Sequence, residues 1–73
     1  MPLINVKLIK GVFTGNQKQE NVRKLTDTMV SIEGENMRGV TRVVVEEVKS
    51  GDWRLGGQPL TTADVKKLAA GQG

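Results

Sequence analysis

The segment Leu3-Ile4-Asn5-Val6-Lys7-Leu8-Ile9 alternates, with Ile4, Val6 and Leu8 on one side and Asn5 and Lys7 on the other. A period of two predicts a half-buried strand. A second strand is read in Arg42-Val43-Val44-Val45-Glu46-Glu47-Val48, whose β-branched richness and brevity favour strand over helix. Between them, Gly11-Val12-Phe13 leads into Thr14-Gly15-Asn16-Gln17, a capping box with Thr14 as N-cap and Gln17 reaching back from three residues later. Val22, Leu25, Met29 and Ile32 then follow at helical spacing, with Glu20, Arg23, Lys24 and Asp27 largely outside the stripe, and Gly34 supplies the stop. Strand, helix of about 19 residues and strand make a right-handed βαβ unit with parallel strands.

Working outward, a short polar link runs through Gly39, and Ser50-Gly51-Asp52 and Gly56-Gly57 mark turns. Trp53-Arg54-Leu55 between those turns reads as part of a hairpin that pairs with a neighbour. Thr61 and Asp64 repeat the capping-box spacing and predict a short final helix carrying Val65 and Leu68 inward, before a fraying tail of Gly71, Gln72 and Gly73. The expectation is an α+β fold: a small β-α-β subunit with a short hairpin and a C-terminal helix, in one domain over residues 1–73.

The chain has 73 residues, 37% of them hydrophobic and 26% charged, a composition that makes a folded domain rather than disorder the expectation. Domains this small bury only about 60% of their unfolded surface and usually need a staple. With no Cys there is no disulfide, and with neither Cys nor His the usual zinc sites are absent. A two-stranded sheet with one helix is not stable alone, and parallel sheets want cover on both faces, so a homo-oligomer with a shared core is expected.

The same absences remove the Ser-His triad, the thiolate nucleophile and the imidazole base from the available chemistry. Neither a Walker-type loop nor a dinucleotide glycine fingerprint occurs. The longest purely apolar run, Val43-Val44-Val45, falls far short of a membrane span, and no charged segment leads into an apolar stretch at the N-terminus, so a cytoplasmic protein is expected. The formal charge of +3 comes from 11 basic against 8 acidic residues, scattered and interleaved. With one Trp and one Phe as the only aromatics, a solvated mixed-charge surface is favoured over nucleic-acid binding. The mild positive bias also suits small anionic substrates.

Pro2 is the candidate for chemistry. A residue this small after the initiator normally allows Met1 to be removed, leaving the Pro2 nitrogen as a free secondary amine. Such α-amino-type groups titrate near pH 8, and an apolar pocket or a nearby cation lowers that value, giving a rigid base in a chain without His. Pro2 to Gly11, the Gln17-Lys18 opening of the helix, the Arg42 strand, and Gly51-Asp52-Trp53-Arg54-Leu55-Gly56-Gly57 together resemble the 4-oxalocrotonate tautomerase family. The resemblance runs from about residue 2 to about residue 58. Its most specific constellation is the proline, the strand arginine, and an aromatic eleven positions later before Gly-Gly.

The resemblance implies a βαβ subunit assembled as a hexamer, with cofactor-free enol–keto tautomerisation of a small carboxylate substrate and a setting in aromatic-compound catabolism. It assigns the general base to Pro2. Arg42 of a neighbouring subunit would bind the 2-keto-acid end, and Trp53 would wall the pocket. From the residues alone, a surface ion pair with Glu46 or Glu47 is the favoured reading of Arg42, and Trp53 reads more readily as interface core than as a ligand contact, or as both. One departure stands out: Val12 occupies the place of a second family arginine that grips the far carboxylate of a diacid. The expectation is therefore a monoacid enol with an apolar tail, of the phenylpyruvate sort, with Lys10 and Arg54 as substitute cations that no motif supports. The alternatives are a proline-dependent hydratase or dehalogenase, and an inactive oligomer serving as an interaction module.

Overall fold

The computed structural model describes residues 2–71; the expected removal of Met1 and the fraying of Gln72 and Gly73 fall outside them. The first strand, β1, spans Leu3–Ile9, and the long helix, α1, spans Gly15–Glu33. A 3-10 helix over Glu35–Val40 replaces the expected polar link, and β2 follows over Arg42–Val48. β1 and β2 pair in parallel from Leu3 opposite Arg42 to Ile9 opposite Val48, so the predicted βαβ unit is present.

Both capping boxes form. Thr14 Oγ1 accepts from the Gln17 N–H at 3.1 Å while Gln17 Oε1 accepts from the Thr14 N–H at 2.9 Å. At Gly34 the chain turns out of α1 with φ +107°, and its N–H donates to Val30 O at 2.8 Å. The 3-10 helix is tied back to α1 by Arg38, which donates to Asp27 at 2.9 Å and to Glu35 at 2.7 Å.

α1 covers the sheet face that carries Ile4, Val6, Val43 and Val45, all half-buried. Val30 on this helix is buried, whereas Ile32, expected on the core stripe, is 78% exposed. Two residues are about 200° of helix, so the pair cannot share one face. The C-terminal turns of α1 settle on the side where the 3-10 helix and β2 lie, and Ile32 is left on the other flank.

After β2, Trp53–Leu55 forms β3 and Gln58–Leu60 forms β4, an antiparallel hairpin closed by Gly56 and Gly57 at φ +58° and +82°. The expected hairpin is present, its two strands paired with each other from Trp53 opposite Leu60 to Leu55 opposite Gln58. α2 spans Thr62–Ala69 with Thr61 and Asp64 in the capping box. Its first residue is the anchor: Thr62 Oγ1 donates to Lys10 O at 2.6 Å, and its N–H donates to Ser50 Oγ at 3.0 Å. Gly11, at φ +89°, lets the backbone pass there, since a Cβ would lie 3.3 Å from Thr62 Cγ2. Val65 turns inward as expected, but Leu68 is 59% exposed because only the start of α2 meets the body. Gly71, read as part of the fraying tail, closes the helix by donating to Leu68 O at 3.0 Å.

Among the described residues only Ile9 and Val30 are buried. The radius of gyration is 14.9 Å, against about 11 Å for a compact chain of this length. Hairpin and α2 form an arm, and the sheet face opposite α1 stays open, with Leu3 61% and Val44 42% exposed.

Two glycine substitutions separate backbone strain from packing, since a Cβ added at Gly15 or at Gly34 would meet no atom within 4 Å. Gly34→Ala forces a side chain into positive φ and is expected to cost about 1–3 kcal/mol. Gly15→Ala, in the first turn of α1, is expected to stabilise by about 0.5–1 kcal/mol. Denaturant unfolding at one fixed protein concentration measures both.

Candidate active site

Pro2 is half-buried immediately before β1, and its carbonyl accepts from the Arg42 N–H at 3.1 Å. The two predicted site residues are therefore main-chain neighbours at the head of the parallel ladder. Residues paired across a sheet project to the same face, so the Arg42 side chain stands with Leu3 on the face opposite α1. It is exposed, and no carboxylate lies within ion-pair distance of it among the described residues. Glu46 accepts instead from Asn5 Nδ2 at 2.8 Å, and Glu47 pairs with Lys18 Nζ at 2.9 Å. The ion-pair alternative for Arg42 is not realised, which leaves its planar fork free for an incoming oxyanion.

Trp53 lies at the other end of β1. It faces Leu60 across the hairpin, and both line a cavity of about 230 Å³ between the arm and the end of the first strand. Leu8 and Ile9 of β1, Val12 and Phe13 of the following loop, and Val65 of α2 complete its apolar wall. Val12, singled out as the departure in the sequence, is thus a wall residue of an apolar cavity. Neither Lys10 nor Arg54 lines this space; Arg54 Nη1 turns to Gly57 O at 3.4 Å. The charged residue that does line it is Lys7, which the strand pattern marked only as a polar outward position. No sequence motif singles it out: it reaches the cavity because the arm folds back over the open face of β1.

From Pro2 to Ile9 a strand rises about 23 Å. Pro2 and Arg42 are brought together, and Trp53 is not brought to them within one chain. A site containing all three needs more than one copy.

The first turn of α1 is tied to β2 by the ion pair of Lys18 and Glu47. Hydrogen bonding to Lys18 holds the Glu47 carboxyl below its usual range, and the Gly11 backbone adds to the effect. A group with a depressed folded-state pKa contributes stability above its unfolded value and loses it as pH falls through the folded one. The stability difference between wild type and Glu47→Gln is therefore expected at pH 7 and to close below about pH 4, as thermal melts across pH would show.

Comparison with known proteins gives concordant matches. The family described as "Tautomerase enzyme" matches residues 2–63. "Probable tautomerase K2" of Dickeya dadantii (strain 3937) is 31% identical over 61 residues, covering 84% of this chain and 90% of the relative. A "Probable tautomerase" of Helicobacter pylori (strain J99) is 36% identical over 62 residues, covering 82% of this chain and 90% of the relative. Among solved structures, apo unfused 4-OT superposes with a TM-score of 0.71 at 32% identity, covering 81% of this chain and 93% of that one. With sequence and fold agreeing over most of its length, the chain belongs to the tautomerase family and is an isomerase of the 4-oxalocrotonate tautomerase type.

Proposed function

We propose that the protein is a cofactor-independent tautomerase moving a proton between the enol oxygen and a carbon of a 2-hydroxy-alkenoic or -dienoic acid, phenylpyruvate enol being the simplest aromatic case. Once Met1 is removed, the Pro2 nitrogen takes the proton from the 2-hydroxyl as the C2 carbonyl forms. The double-bond electrons shift, and the protonated amine returns that proton to carbon, so no atom is gained or lost. Arg42 grips the carboxylate and the adjacent oxygen and stabilises the charge that develops on it. Trp53 and Val12 face the apolar tail and keep water from the amine.

The observation that carries this reading is the uncommitted guanidinium of Arg42, set at the same sheet end as the half-buried Pro2. The rest follows from assembly. With one edge of β1 unpaired among the described residues, a second β1 running antiparallel along it would bring Pro2 of one copy to the Trp53 cavity of the other. The Arg42 side chain, turned to the open face, would serve a further copy packed there. A homo-oligomer of this kind would cover the exposed Leu3 and Val44, and the hexamer that the family resemblance implies would provide both contacts.

Pro2→Ala is expected to lower kcat for ketonisation by about 10²- to 10⁴-fold, the usual worth of a positioned base, with the oligomer unchanged in sedimentation. Arg42→Ala is expected to raise KM as well as lower kcat. Intact mass of the wild type should show one Met lost; full-length mass in active protein, or undiminished turnover by Pro2→Ala, would remove Pro2 from the mechanism.

A further inference from the structure

The cavity beside Trp53 carries a feature that a purely apolar tail would leave unused. Its wall is hydrophobic except for Lys7. This ammonium has no carboxylate within ion-pair distance among the described residues. Glu46, opposite it in the β1–β2 register, is held by the Asn5 amide at 2.8 Å. An uncommitted cation beside apolar walls recognises an amphipathic ligand with an apolar body and an anionic oxygen group at one end.

The walls also speak to the body. Trp53 and Phe13 present aromatic surface, and aromatic groups pack on one another with a preference for stacked or edge-to-face contact. An apolar cavity of about 150 Å³ suffices for benzene, so about 230 Å³ accommodates a substituted ring. All of these residues come from a single chain.

We infer that Lys7 is a specificity-determining residue that selects, among enol acids, those whose tail is an aromatic ring bearing an anionic oxygen group at its far end. This rests on the tautomerase reading above and deepens it: Arg42 takes the 2-keto-acid head, the cavity takes the ring, and Lys7 takes the ring's terminal substituent. Lys7 touches neither the enol oxygen nor the carbon that receives the proton, so it acts on binding.

The test compares the enols of phenylpyruvate and para-carboxyphenylpyruvate on wild type, Lys7→Met and Lys7→Arg. In the wild type the para-carboxy substrate should have the lower KM. Lys7→Met should raise that KM about tenfold, the worth of a charge-assisted contact discounted for solvent exposure, while the phenylpyruvate KM holds or falls because methionine extends the apolar wall. Lys7→Arg should restore the preference. Equal effects on both substrates, or none on either, would overturn the assignment.

Equilibrium binding of para-carboxycinnamate against cinnamate, which cannot tautomerise, separates the two proposals. A carboxylate preference abolished by Lys7→Met supports Lys7 even if no enol is turned over, whereas turnover with no such preference retains the tautomerase and rejects Lys7.

Discussion

The constraint behind the rest of this structure is that a parallel pair of strands has two faces and two edges, and one helix can cover only one face. α1 takes the side with Ile4, Val6, Val43 and Val45. Everything opposite it is left to the short arm, which reaches only the Ile9 end. The accessible surface of 5332 Å² exceeds the roughly 4,400 Å² of a typical folded chain of this mass. Parallel sheets are rarely stable with a bare face, so the energetics of the single chain already call for other copies. The proposed catalytic arrangement makes the same demand, because Pro2 and Trp53 sit at opposite ends of one strand.

That coincidence has a physical basis. A secondary amine works as a base near neutral pH when its surroundings disfavour the protonated form, through burial or a neighbouring cation. A chain terminus is a poor place to find burial, since termini usually lie at the surface. Starting β1 immediately after Pro2 helps, because the Arg42 N–H on the Pro2 carbonyl anchors the last residue before the strand. In the proposed assembly the apolar lid would come from the cavity of another copy. Burial that stabilises the assembly would then be the same burial that tunes the base.

Much of this was legible in local pattern. Both strands, both capping boxes and the Gly34 stop follow from alternation, cap spacing and the freedom of glycine, all of which act over a few residues. What the pattern missed depends on tertiary placement. Ile32 fits a helical stripe as well as Val30 does until the 3-10 helix decides which flank of α1 is covered. Leu68 satisfies the period of α2 but lies beyond the point where that helix meets the body. Of the proposed site, Pro2 stands out by the chemistry of a free secondary amine in a chain without His, and Arg42 and Trp53 by resemblance. The structure adds that Arg42 is unpaired among the described residues: Glu46 and Glu47 lie about 13–17 Å further along β2 and bond to Asn5 and Lys18.

Lys7 shows why a strand's polar positions cannot be dismissed as solvated by default. Alternation places it on the face away from α1, and in an isolated hairpin that face would be water. Here the same face runs under the arm at one end, so a single polar position sits among apolar neighbours drawn from three later segments of the chain. The cost of leaving an ammonium beside apolar walls is small while it can still reach solvent, and falls further when a ligand supplies an oxyanion. An apolar side chain at that position would widen the hydrophobic wall and add affinity for any greasy tail. A lysine instead gives up some of that affinity in exchange for discrimination, because ligands lacking the matching oxygen must leave the charge unpaired as they displace its water.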